Sequence, residues 1–114
     1  SEVDRLVKEV RSRDQATVEM SASRERIAPV KMDETLRVHL GSAAQKHAPG
    51  QWVEMPSGAY HDAGVMAALL PTAMLFIPSI GGVSHDFSEN SHDEDIVIGC
   101  QVLADATAAT LLDN

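Results

Sequence analysis

The sequence predicts an α/β fold in which a βαβ unit with parallel strands follows a helix and a strand. QWVEM (51–55) reads as a short strand, AYHDAGVMAALL as a helix with Ala63, Met66, Ala67 and Leu70 at i, i+3, i+4 and i+7, and TAMLFI (72–77) as a strand apolar on both faces. Pro71 and Pro78 bracket that second strand. A strand, a helix and a strand joined in this way pair in parallel through a right-handed crossover.

SEVDRLVKEVRSR is helical from its first turn, with Val3, Leu6, Val7 and Val10 on one stripe, and a start of this kind without Met reads as the interior of a larger protein. ATVEMSAS then alternates strictly, with Ala16, Val18, Met20 and Ala22 on one face and polar residues on the other, as a half-solvated strand does. RERIAPVKM has no clean period and contains Pro29, so it reads as a connection between two domains. Asp33 caps a helix over 34–47 whose inner face is Leu36, Leu40, Ala43, Ala44 and His47; Pro49 and Gly50 stop it. Ser91 and Glu94 form a capping-box pattern that opens a final helix, with Val97, Cys100, Leu103, Ala104, Thr107 and Leu111 as its buried face. Cys100 lies on that stripe and is assigned to packing.

A chain of 114 residues has room for one small core. The net charge is −8 and the nine Lys and Arg lie before residue 47, with no basic stripe interleaved with aromatics, so nucleic acid is excluded as a partner. The nearly apolar run 63–80 contains two prolines and a threonine, reads as helix then strand, and falls short of the about 20 residues that cross a bilayer; a soluble protein without a membrane partner is expected. A single cysteine makes no internal disulfide and no secretory leader opens the chain, so a reducing cytoplasm is the expected location.

Parallel strands end on one edge of their sheet, where open α/β sheets place ligands. The segments carrying His61 and His85 each follow a strand and are expected over that edge, with Asp62, Asp86 and Glu89 nearby. Two imidazoles with carboxylates match the donors of a zinc site; each His taken alone reads as a solvated loop residue. Gly81 and Gly82 read as a turn, since a bare GG says little about phosphate. A nucleophilic triad of Ser57, His61 and Asp62 is set aside, because adjacent side chains at a helix start splay by about 100°. His39 and His47 belong to the 34–47 helix, and His92 to the solvent-exposed first turn of the last.

MPSGAYHDAGVMAALLPTAMLFIPSIGGVSHDFSEN, running on into DEDIVIGCQVLADA, resembles the C-terminal part of the dinuclear zinc amidohydrolases that include N-carbamoyl-L-amino-acid hydrolase, allantoate amidohydrolase and β-ureidopropionase. Residues 55–112 carry the match, through SGAxHDA before the apolar strand and PSxGGxSHxxxE after it. The resemblance implies that residues 1–28 end an inserted dimerisation (lid) domain and that 29–114 are the C-terminal part of the catalytic domain. It implies His85 as ligand to one of two metal ions, Zn²⁺ or alternatively Mn²⁺ or Co²⁺, with Glu89 as a supporting carboxylate; Asp62, close to the histidines, is expected to orient an imidazole from behind. His61 resembles a substrate-contacting histidine, and Tyr60 stands where family members often have Gly, against the substrate. The implied chemistry is hydrolysis of a ureido or amide C–N bond in a homodimeric parent. Because the other ligands and the general base belong to the family's N-terminal half, the chain alone is expected to bind metal weakly or not at all, to be inactive and to self-associate. The alternative expectation is a non-catalytic binding or dimerisation module of the same fold.

Overall fold

A computed structural model describes residues 2–14, 17–19 and 28–113. Its helices are α1 (Glu2–Asp14), α2 (Glu34–His47), α3 (Asp62–Met66) and α4 (Asp93–Leu112), with a 3₁₀ turn at Ile80–Gly82.

The centre of the molecule is the pairing of α2 with α4, the two helices in contact among the described elements. Asp33 caps α2 as its sequence predicts, its carboxylate accepting the Leu36 N–H at 2.9 Å. Ala43 and Ala44 pack against Val102 and Ala106, with Leu40 and Ile98 at the margin. Small side chains on both helices let the backbones approach. Polar ties flank this contact: His39 meets Thr110 at 2.9 Å and Asp113 at 2.8 Å, while Asp105 accepts from Lys46 at 2.7 Å and pairs with His47 at 2.8 Å.

The expected buried face of α4 is corrected by the structure. Gly99, Val102 and Ala106 are buried, whereas Val97, Leu103 and Leu111 are more than half exposed and Cys100 is exposed, so Cys100 has no packing role in this chain. The helix is apolar nearly all round, and a periodicity reading selects the face with the larger side chains. Contact instead selects the face with the smaller ones, because the extended segment 72–77 crosses there: a Cβ on Gly99 would lie 2.6 Å from Ile77 Cγ2. The capping box is also absent, since His92 occupies the N-cap position without a side-chain bond and the Ser91 hydroxyl donates to the Pro78 carbonyl at 2.7 Å. By length and composition, with mean hydropathy 1.5, α4 is apolar enough to cross a membrane, a property that the reading of 63–80 passed over. Asp105, paired to α2 in mid-helix, seats it against protein.

No strand is assigned among the described residues. Segments 51–55 and 72–77 are non-helical and lie beside the helix pair, but no ladder of backbone hydrogen bonds joins them, so the βαβ sheet is not formed here. Parallel pairing is weaker per residue than antiparallel pairing, and parallel sheets form where both faces are covered. Residues 51–60 are all exposed, so that cover is missing. The strand expected at 16–23 lies largely outside the described residues, and 17–19 are irregular. The helix expected over 59–70 shortens to α3 followed by turns through Leu70, with Gly64 inside it and Pro71 behind it.

Candidate functional site

A groove of about 1020 Å³ runs between the α2–α4 pair and the segments 51–61 and 74–78. Gly99 and Val102 of α4, Ala44 of α2, and Trp52, Tyr60 and His61 are among the residues that line it. Trp52 is seated by two contacts: its indole N–H donates to Gln45 Oε1 at 2.9 Å, and a Cβ on Gly41 would come within 3.1 Å of its ring. Gly41 is therefore the point at which this aromatic wall rests on α2.

His61 stands at the N-cap position of α3 in extended backbone geometry. Its Nε2 lies 2.6 Å from Ser57 Oγ, and its ring packs against Phe76 at 5.4 Å between centroids, tilted by 53°. The i, i+4 spacing of Ser57 and His61 was legible, but a non-helical stretch gives no rule that brings such residues together. Phe76 had no sequence signal as the ring's partner. Asp62 is the exposed first residue of α3, and no carboxylate hydrogen-bonds the His61 ring among the described contacts, so Ser57 and His61 form a pair and not a triad. Tyr60, two-thirds exposed, lies on the groove wall next to His61.

His85 lies outside the groove lining, in a loop closed at its base by Ile80 N–H donating to the Asn90 carbonyl at 2.7 Å and by the Ser91–Pro78 bond. Gly81 and Gly82 adopt φ of 67° and 69°, a left-handed turn that glycine makes without strain. His85 itself has φ 59°, an uncommon value for a residue with a Cβ. Glu89 holds it there, its carboxylate accepting the His85 backbone N–H at 2.8 Å. Asp86 accepts from the Ser88 hydroxyl at 2.7 Å and backbone N–H at 2.9 Å, and these bonds, the hydroxyl first, hold its carboxyl below the usual carboxylate range. The two acids therefore serve the loop's backbone, and the His85 imidazole is exposed.

Among the described residues no three of His, Cys, Asp and Glu stand together as a metal site, so those residues do not assemble a complete set of ligands. One exposed imidazole is one ligand of the four that a tetrahedral ion takes.

The chain belongs to Peptidase family M20/M25/M40, whose family profile matches residues 4–109. Within that breadth it is similar to allantoate amidohydrolase of Bacillus subtilis, 41% identical over 70% of this chain and 19% of that protein. It is also similar to N-carbamoyl-L-amino acid amidohydrolase of Geobacillus stearothermophilus, 37% identical over 68% of this chain and 19% of the relative. The crystal structure of an amidase of the hydantoinase/carbamoylase family from Burkholderia phymatum superposes with a TM-score of 0.78 at 41% identity, covering 94% of this chain and 25% of that one. The chain thus spans about a fifth of the length of these curated relatives.

Proposed function

We propose that this chain is the C-terminal part of a metal-dependent hydrolase that cleaves a linear C–N bond in a small ureido or amide substrate, of the N-carbamoyl amino acid or allantoate type. Residues 1–28 belong to its dimerisation (lid) domain and 29–114 to its catalytic domain. The observation that carries this reading is the PSxGGxSHxxxE loop: His85 is held at an uncommon backbone angle by the carboxylate four residues on, in a loop closed at both ends. Such local strain persists where the surroundings over-determine it, and it clusters at functional sites. His85 supplies one metal ligand, and Glu89 supports it through the backbone. The remaining ligands and the general base come from the rest of the parent; among the described residues no three of His, Cys, Asp and Glu stand together.

The groove supplies binding. His61 offers a ring nitrogen to a substrate oxygen, Trp52 and Phe76 give apolar walls, and Tyr60 narrows the space beside them. The family's metal, when bound, polarises the scissile carbonyl and activates water. The similar proteins carry the names of hydrolases, which favours this reading over a non-catalytic module.

Replacement of His85 in the full-length protein tests the reading. His85→Ala is expected to lose metal together with at least about 90% of its turnover of N-carbamoyl amino acids or allantoate, with partial recovery in excess Zn²⁺ or Mn²⁺. Full metal content with undiminished turnover rules out ligation by His85. The 114-residue chain assayed alone is expected to give no turnover with these substrates.

A further inference from the structure

The Ser57–His61 contact settles more than the ring's position. A neutral imidazole carries one proton, on either Nδ1 or Nε2, and the nitrogen that remains for a ligand acts as donor or acceptor accordingly. Ser57 Oγ lies 2.6 Å from His61 Nε2 and also accepts the Ala59 backbone N–H at 3.3 Å. Two arrangements satisfy the short contact. With the proton on Nε2, the hydroxyl accepts from both the ring and Ala59, and its own hydrogen has no protein acceptor among the described contacts. If instead the hydroxyl donates to a bare Nε2, its hydrogen and one of its lone pairs are both engaged.

Saturation of the hydroxyl separates the two. Among the described contacts, the second arrangement alone gives the hydroxyl hydrogen a protein acceptor while the hydroxyl oxygen still accepts the Ala59 N–H. We propose that Ser57 donates its hydroxyl proton to His61 Nε2 and so fixes the ring as the Nδ1–H tautomer, which presents an N–H donor to an oxygen in the groove. Phe76 limits rotation of the ring, so Nδ1 is the nitrogen left for a ligand. The oxygen class that such a donor takes is a carbonyl or a carboxylate, the two oxygens of a ureido acid. That assignment of the ligand rests on the proposed function, whereas the tautomer does not. Ser57 is then a positioning residue, acting through His61.

Long-range ¹H–¹⁵N correlation spectra of the chain labelled at histidine test the tautomer directly, at a pH well above the ordinary imidazole range. His61 is assigned by its loss in His61→Gln, and His39, bonded to Thr110 and Asp113, reports in the same spectrum that α2 and α4 are packed. The expected result is a protonated Nδ1 and a bare Nε2 at His61. Ser57→Ala is expected to shift the ring toward the Nε2–H form that free histidine prefers, and Ser57→Thr, which keeps the hydroxyl, to leave it unchanged. An Nε2–H ring in the unaltered chain with the His39 signal in place overturns the proposal, as does a tautomer indifferent to Ser57→Ala. In the full-length protein Ser57→Ala is expected to lower kcat/KM about tenfold or more, with recovery in Ser57→Thr. Unchanged kcat/KM in His61→Ala would sink the ligand contact and weaken the proposed function, while the measured tautomer stands or falls by itself.

Discussion

His85 is held by its own backbone neighbourhood. His85 occupies the left-handed region, and the bond from its N–H to Glu89 at 2.8 Å is the contact that holds it there. A hydrogen bond to a charged acceptor is worth about 1.5–3 kcal/mol where it is shielded, and less here because the loop is exposed. Glu89→Ala is therefore expected to speed amide exchange at His85 by roughly tenfold, whereas Glu89→Gln, which keeps a carbonyl acceptor, recovers part of the protection. An unchanged exchange rate in Glu89→Ala means that the glycine turn holds the loop without the carboxylate. The spacing of His85 and Glu89 was legible in the sequence, and the loop motif pointed to this pair as functional. The role of the carboxylate was not legible, since a Glu four residues on reaches an imidazole or a backbone N–H equally well.

Among the elements, α2 and α4 contribute most, and two expectations follow from how they meet. Lys46 and His47 both bond Asp105, and these bonds, that of Lys46 first, hold its carboxyl below the usual carboxylate range. The sign follows from linkage: a carboxyl with a lowered folded pKa adds stability that is complete above the unfolded carboxylate value and is lost as pH falls through the folded value. Asp105→Asn is expected to lower Tm at neutral pH and to flatten the acid limb of a Tm-against-pH curve; an unchanged acid limb would show the pairs to be energetically silent. Gly99 supplies the second case. Alanine at this mid-helix site gains about 1 kcal/mol in helix propensity, yet its Cβ meets Ile77 Cγ2 at 2.6 Å, and overpacking costs about 1–3 kcal/mol. The steric term wins. Gly99→Ala is expected to lower the urea midpoint, and Ile77→Ala in the same chain to relieve part of that loss; stabilisation by Gly99→Ala alone would mean that the 72–77 segment does not rest on α4.

At the scale of the whole molecule, the accessible surface of 9505 Å² exceeds the about 6,100 Å² usual for a folded monomer of 12.2 kDa. The radius of gyration is 19.9 Å where about 13 Å is usual for this length. Val3, Leu6 and Val10 of α1 and Val97, Leu103 and Leu111 of α4 are exposed apolar side chains. A stable interface buries about 800 Å² on each partner, so the excess surface is ample to drive association. Purified 114-residue chain is expected to show a mass in light scattering that rises with concentration over about a hundredfold range; a constant monomer mass rules this out. The same excess explains the missing sheet, because two strands exposed to water do not hold a parallel ladder by themselves.

The sequence by itself determined the helices whose signals are local: α1 from its apolar stripe, α2 from the Asp33 cap and the Pro49–Gly50 stop, and the glycine turn ahead of His85. It determined the family as well, because SGAxHDA and PSxGGxSHxxxE are written in single residues at set spacing. Only the tertiary structure decided which face of α4 is buried, that Ser91 bonds Pro78 instead of capping the helix, and that His61 rests between Ser57 and Phe76. Each of these depends on what a distant segment brings into contact. Where a helix is apolar nearly all round, periodicity cannot choose its face; close contact with Ile77 at Gly99 can.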